Sequence, residues 1–352
     1  MITEKLVRDV LGKVNYPGFS RDIVSFGLVK EIAIEGSDVT LGLSLATRDA
    51  AVPREIHERA EAALKGIDGI GEIRIDFDIQ DPPAPASTAG GDASAGQSKI
   101  PGVKKIIAVA SGKGGVGKST VATNLAVALG RSGAKVGLCD CDLYGPSVAM
   151  MLGAEDQQPM ATEQNEIVPI EAHGIKAISM GFLLADDSPV IVRGPLATRY
   201  TQQFLRQCLW GELDFLVLDL PPGTGDIQLT IVQTVAVDAA VIVTTPQEVA
   251  LIDARKAAAM FKKVNVPVGG VVENMAWFEC DHGEKYYIFG DGGGAREAER
   301  LGVPLLAQIP LDGDTRDRAD KGLPVATVDP AENAISAAFV GLAEGVREAV
   351  RS

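Results

Sequence analysis

The 352-residue sequence has only four cysteines, irregularly spaced, which excludes a disulfide framework in a chain of this size. No apolar run approaches the roughly 20 residues needed to cross a bilayer. Positive charge is scarce too: 33 Lys and Arg stand against 47 Asp and Glu, a net charge of −14. Phosphate neutralisation along a nucleic acid needs clustered Lys and Arg, so no nucleic-acid partner is expected. The start, Met1-Ile2-Thr3-Glu4-Lys5, lacks the basic-then-apolar pattern of a secretory signal. These absences predict a cytoplasmic protein with reduced thiols, no membrane partner and no internal repeat. The remainder is ordinary for a soluble chain, 46% hydrophobic and 23% charged, and long enough for one large domain and one small one.

Residues 1–80 read as a small α+β domain. Leu6, Val7, Val10 and Leu11 recur at helical spacing within Glu4–Val14. Strands are expected at Ile23–Ile34 and at Val39–Leu45, where Val39, Leu41, Leu43 and Leu45 alternate with small or polar residues. A helix over Val52–Leu64 and a strand over Ile70–Ile79 complete an αββαβ order. Residues 81–99 are rich in Pro, Ala, Ser and Gly, cannot bury a core, and read as a flexible linker. From residue 100 to 352 strands and helices alternate, which predicts a mostly parallel, twisted sheet covered on both faces. Expected strands are Ile106–Ala110, Val136–Cys139, Phe215–Asp219, Ala240–Thr244, Val268–Val272 and Leu305–Ile309. Expected helices are Ala197–Trp210, Gln228–Val237, Val249–Val264 and Ala331–Val350.

The chemistry centres on Ser111-Gly112-Lys113-Gly114-Gly115-Val116-Gly117-Lys118-Ser119-Thr120, which follows an apolar strand and opens a helix. Glycines let the backbone curl and aim N–H groups at phosphate oxygens, and the helix adds the positive end of its dipole. The pattern predicts an α/β P-loop NTPase fold that binds ATP through Gly112 to Thr120. Lys118 would sit on the β/γ-phosphates and Ser119 on Mg²⁺. Phe215-Leu216-Val217-Leu218-Asp219 is a strand ending in an acid, so Asp219 would hold Mg²⁺ through water. Gly223, in Leu220-Pro221-Pro222-Gly223-Thr224-Gly225-Asp226, can offer an unhindered N–H to the γ-phosphate. Asp140 and Asp142, at i and i+2 after a strand, could order the attacking water and the magnesium hydration shell, with Asp140 the first choice for catalysis. The alternative for this pair is a loop cap.

Lys113 is a second lysine that an ordinary phosphate loop does not require. With it, Lys113 to Ser119 resembles the deviant Walker A group of MinD, ParA, nitrogenase iron protein and ArsA. That resemblance implies a homodimer in which Lys113 reaches the partner's nucleotide. The longer runs Asp219-Leu220-Pro221-Pro222-Gly223-Thr224-Gly225-Asp226-Ile227-Gln228, Asp142 to Ser147, Arg193-Gly194-Pro195, Glu273-Asn274-Met275 and Ile309-Pro310-Leu311-Asp312 are similar to the Mrp/ApbC family. Membership implies an ATP-dependent carrier or scaffold that passes iron–sulfur clusters to apoproteins, with cluster-assembly proteins as further partners. It also gives Asn274 to adenine, a strand-end turn being the other reading. Residues 21–29 resemble the small domain of cluster-assembly proteins.

Two departures stand out. The family's usual C-x-x-C, which in a dimer supplies four thiolates to a [4Fe–4S] cluster, is here Cys280-Asp281-His282. Two subunits could offer two thiolates and two imidazoles, or the site has decayed; both readings stand. The small domain's cysteine is replaced in Thr47-Arg48-Asp49-Ala50-Ala51-Val52-Pro53. Cys139, Cys141 and Cys208 read as packing residues. The rival function is a MinD- or ParA-like positioning ATPase without a cluster. It would need an amphipathic carboxyl-terminal membrane helix or a basic DNA-facing surface.

Overall fold

A computed structural model describes residues 2–15, 17, 22–24, 28–46, 51–80, 98–162, 164, 166–183 and 194–351. The chain divides into an amino-terminal unit, described as far as Gln80, and a larger unit, described from Ser98. The expected linker lies, apart from Ser98 and Lys99, outside the described residues, as do residues 18–21, 25–27, 47–50 and Arg193.

The amino-terminal unit runs α1 (Glu4–Leu11), β1 (Val29–Glu35), β2 (Asp38–Ala46), α2 (Ala51–Leu64) and β3 (Ile73–Gln80). Thr3 starts α1 by accepting a hydrogen bond from the Leu6 N–H. β1 and β2 form an antiparallel hairpin, and α2 carries the chain across to β3, which pairs parallel with β2. The period-two residues Val39, Leu41, Leu43 and Leu45 face the core with Val7, Leu11, Ile56 and Leu64. Ile23 is fully buried but sits in a turn, so the first strand begins six residues later than the expected Ile23.

The larger unit continues with β4 (Val103–Ala110), α3 (Lys118–Arg131), β5 (Val136–Asp140), α4 (Val148–Met151), β6 (Met160–Ala161), β7 (Ile167–Val168), β8 (Ile170–Ala172) and β9 (Ile175–Ile178). It then runs α5 (Gly194–Gln207), β10 (Leu213–Asp219), α6 (Asp226–Thr234), β11 (Ala239–Thr244), α7 (Glu248–Lys263), β12 (Val268–Glu279) and β13 (Lys285–Tyr286). The chain ends α8 (Gly293–Leu301), β14 (Leu305–Leu311), α9 (Gly313–Ala319) and α10 (Ala334–Ala349). The sheet order is β13-β12-β11-β4-β10-β5-β9-β8, with β14 also paired to β12. All but the edge pairs β8–β9 and β12–β13 are parallel. This is the expected P-loop sheet, with β4 between β10 and β11 at its centre.

Strands covered on both faces read as continuous apolar runs, and Ile106–Ala110 and Ala239–Thr244 are buried throughout. α3 is buried along both sides because α10 packs over it, placing Phe339, Leu342 and Val346 in the core beside Leu125 and Leu129. Several short elements had no counterpart in the sequence pattern; β6 to β9, for instance, are two to four residues each and too short to show a period. α8 begins with Gly293 and Gly294, poor helix formers, and depends on a contact from outside the helix.

Candidate functional site

β4 delivers the chain into the phosphate loop at Ser111, which is fully buried and whose hydroxyl donates to the Lys113 carbonyl at 2.9 Å. The Ser111 carbonyl accepts from Gly223 N–H at 3.0 Å, which ties the Pro221–Gly225 segment to the loop. Two glycines are dictated by space. A Cβ on Gly112 would collide with the backbone of α7 at Asp253, and one on Gly117 would strike the Asn274 amide. Gly117 also adopts φ +78° as the N-cap of α3, a conformation that costs other residues strain. The loop lines a cavity of about 250 Å³ that also receives Lys113, Lys118, Ser119, Thr120 and Asp142. A larger cavity, about 480 Å³ and lined by Lys135, His173 and Lys176, lies at the opposite, amino-terminal ends of the strands and away from the phosphate loop.

Lys118 is buried and pairs with Asp219 at the end of β10; its ammonium also donates to the Ser119 hydroxyl at 3.2 Å. Burial pushes the Asp219 carboxyl up and the Lys118 charge opposes this. The second carboxylate oxygen of Asp219 is buried with no hydrogen-bond partner. An orphaned, hard oxygen beside a serine hydroxyl is the donor chemistry that suits Mg²⁺, so the residues present fit that ion. Lys113, by contrast, lines the cavity half-buried and forms no ion pair among the described residues.

The two aspartates after β5 exchange their expected order. Asp140 is buried, and both of its oxygens are occupied, by the Asp142 N–H at 3.0 Å, the Ser179 hydroxyl at 2.8 Å and the Val148 N–H at 3.3 Å. Its carboxyl is pushed up to about 7, by burial first and the Asp219 charge second, with Ser179, Lys118 and the Asp142 N–H pulling it back. Asp142 is the one whose side chain faces the cavity. With three of about four lone-pair sites engaged and no place in the cavity lining, Asp140 is set to hold the Asp142 loop, while Asp142 faces the space where water and phosphate would lie. The sequence could not give this, because Ser179 lies 39 residues away.

Asn274 also has a task that was not foreseen: its amide donates to the Val116 carbonyl at 2.9 Å, beneath the loop. Its neighbour Glu273 is buried and accepts from the Gly294 N–H and from the Gln308 amide at 2.7 Å. This carboxylate at the first turn of α8 is the contact that helix depends on.

Beyond Asn274, β12 runs on to a hairpin with β13, Phe278 opposite Tyr286 and Glu279 opposite Lys285. The turn is Cys280 to Glu284, closed by Cys280 N–H to Glu284 O at 3.0 Å and by Gly283 N–H to Cys280 O at 2.9 Å. Cys280 is half-exposed and His282 exposed. The other three cysteines are buried. Cys139 and Cys141 lie 3.8 Å apart at sulfur; the Cys141 contact and burial raise the Cys139 thiol far above its ordinary value. Burial lifts Cys208 to about 12. Cys139 and Cys208 are packing groups without thiolate character, and Cys141 is buried beside Cys139. Among the described residues no three His, Cys, Asp or Glu come together in a metal-holding group.

Comparison with known proteins agrees with this geometry. Residues 102–347 match the family model of the NUBPL iron-transfer P-loop NTPase, and residues 4–77 match that of the iron–sulfur cluster assembly protein. The chain is 46% identical to an iron–sulfur cluster carrier protein of Deinococcus radiodurans, covering 91% of this chain and 88% of the relative. It is 42% identical to the protein of that name in Synechocystis, covering 98% and 97%. Among solved structures, the ADP complex of a nucleotide-binding protein from Archaeoglobus fulgidus is similar at 40% identity and TM-score 0.56, over 62% of this chain and 87% of that one. The cell-division ATPase MinD of Pyrococcus furiosus is similar at 28% and 0.53, over 69% and 98%.

Proposed function

The chain belongs to the iron-transfer P-loop NTPase family, and from that premise we propose that it is an ATP-driven homodimeric carrier that takes up an iron–sulfur cluster and hands it to apoproteins. The enzyme is an ATPase of the P-loop class, and a cluster-carrier role is supported by relatives that bear that name. The finer reading rests on what one chain lacks and a second copy would supply.

A cluster requires about four ligands. Among the described residues one chain presents a single unburied thiol, Cys280, with His282 two residues on, and no larger ligand group. This is the observation that carries the proposal: two hairpins brought together offer two thiolates and two imidazoles. Lys113 supports the same view, being a cavity-lining ammonium that forms no ion pair among the described residues.

In hydrolysis, the loop N–H groups and Lys118 bind the β/γ-phosphates, Lys118 leaving Asp219 as they arrive. Ser119, and Asp219 through water, would hold Mg²⁺, which would neutralise charge on the transferring phosphoryl oxygens. Asp142 orients the attacking water, Gly223 donates to the γ-phosphate, and Lys113 of each subunit enters the other's site. Asn274 contributes to the adenine site through the edge of its amide not used by Val116. Nearly all of the rate comes from positioning and charge.

The positioning-ATPase alternative loses its membrane arm, because the apolar face of α10 is packed against α3 and β14. No helix among the described residues is long and apolar enough to cross a membrane. The test is anaerobic reconstitution of the full chain followed by iron and sulfide analysis. The expected result is one cluster per dimer, abolished in Cys280→Ala. A wild-type chain that takes up no iron would refute the carrier reading and leave the ATPase.

A further inference from the structure

We propose that Met275 is a positioning residue that links the phosphate loop to the Cys280 hairpin along β12, so that nucleotide occupancy sets the exposure and reactivity of the Cys280 thiol. The inference rests on the reading of that hairpin as the cargo site.

Three non-glycine residues among those described have positive φ: His173, Asn265 and Met275. His173 sits in the turn between β8 and β9, and Asn265 follows the end of α7. Met275, at φ +54°, lies inside a strand. A side chain held there is strained and persists only where surrounding contacts impose it. The pairing with β14 shows the consequence. Asn274 stands opposite Ile309, yet Phe278 stands opposite Leu311, so β12 spends two extra residues in a bulge centred on Met275 to Trp277. Such bulges bend a strand and re-aim the side chains beyond them.

The kink lies against the phosphate loop. Asn274 donates to the Val116 carbonyl at 2.9 Å, and the Met275 methyl packs 3.7 Å from the point where a Gly117 Cβ would stand. Asn274 is thus bonded to Val116, and the Met275 methyl borders the space left open beside Gly117. Val116 and Gly117 lie immediately before Lys118, the group that must leave Asp219 for phosphate. On the far side of the bulge, the Trp277 ring lies under the Lys285 ammonium at 4.1 Å, Phe278 and Glu279 pair with β13, and the next residue is Cys280. One strand thus has the nucleotide loop against one end and the cargo thiol at the other, with a strained joint between. A shift of Val116 and Gly117 on phosphate binding changes what holds Met275 in place, and relaxation of the joint rotates the hairpin. Methionine suits such a joint, since it is unbranched at Cβ and adapts its thioether to small displacements.

The experiment uses the full cluster-free chain, with N-ethylmaleimide as the probe. Cys280 is the one cysteine that is not buried, so the initial alkylation rate reports it alone. Rates are compared without nucleotide and with Mg·ADP, at concentrations where light scattering gives a single chain, which keeps subunit contacts out of the reading. The wild type is expected to change rate by about fivefold or more, the lower end of ordinary site-to-site coupling. Met275→Gly, which removes both the strain and the contact, and Met275→Ala, which removes only the contact, are expected to bring the ratio to about one, with ADP binding measured alongside. Met275→Leu, which refills the space, should restore it. A wild type with no ADP dependence, or a glycine and alanine pair that keep the full ratio, would overturn the proposal. Cluster uptake is scored separately: iron binding without a nucleotide-dependent thiol rate refutes the coupling alone, and an intact ratio without iron refutes the cargo reading alone.

Discussion

The phosphate loop and the Cys280 hairpin both stand at the carboxyl ends of parallel strands, and they are built in opposite ways. The loop is wedged into the core: Gly112 against α7, Gly117 over Asn274, Lys118 paired to Asp219 with almost no exposure. The hairpin is a surface turn with an exposed imidazole, a half-exposed thiol and the exposed rings of Phe278 and Tyr286 around it. A site that must stabilise a fixed pattern of phosphate charge benefits from rigid, pre-aimed donors. A site that must accept a cargo and release it needs access, and under the proposed function it would be completed by a second chain. The contrast sets ATP chemistry and cluster chemistry in two regions, joined along β12, that single substitutions can address separately.

The largest effect is expected at Lys118. Lys118→Ala should reduce nucleotide binding about 100-fold or more by calorimetry. It should also lower the stability of the nucleotide unit by about 3–5 kcal/mol, because Asp219 would be left buried with an uncompensated charge. Lys113→Ala should leave ADP binding by one chain intact while cutting steady-state hydrolysis about 100-fold or more, as expected of a cation that acts from the neighbouring subunit. Retained hydrolysis in that variant would make the loop self-sufficient and dissolve the need for a dimer. Asp142→Asn should slow turnover about 10- to 100-fold at unchanged ADP affinity, whereas Asp140→Ala should primarily lower thermal stability. Equal loss of turnover from both at equal stability would return the water-ordering role to Asp140.

Asp140 also predicts a pH dependence. Its folded value of about 7 lies above the ordinary 3.8, so the folded state favours the protonated form. Its contribution to stability is therefore fully present near pH 4, is lost progressively as pH rises through 7, and changes little above that. Melting of the nucleotide- and metal-free chain between pH 5 and 8 should show this slope, and Asp140→Asn should flatten it. The smallest expected effect on ATP turnover is at the hairpin: Cys280→Ala should leave hydrolysis within about twofold, since no bond of the loop depends on it. A large change there would mean that the link along β12 carries an effect from the thiol back to hydrolysis as well.

The phosphate loop was legible in the sequence because its function is local: ten contiguous residues between a strand and a helix carry the whole pattern. The central strands were legible because double-sided burial leaves unbroken apolar runs. What the sequence hid were the long-range partners. Ser179 converts Asp140 into a structural acceptor, Val116 claims Asn274 across 158 residues, and Glu273 makes a helix of a stretch that begins with consecutive glycines. The extension of β12 from the expected Val272 to Glu279 follows from β13, a two-residue partner with no period to detect.

The pairing of Lys118 with Asp219 has a consequence for the working cycle. An arriving triphosphate meets a lysine that is already engaged, so capture is an exchange of anions in which the carboxylate is the one displaced. When the spent nucleotide departs, the same carboxylate is at hand to reclaim the ammonium group, and the cradle returns to its starting shape unaided. The molecule carries its own reset, wired between the first turn of α3 and the end of β10.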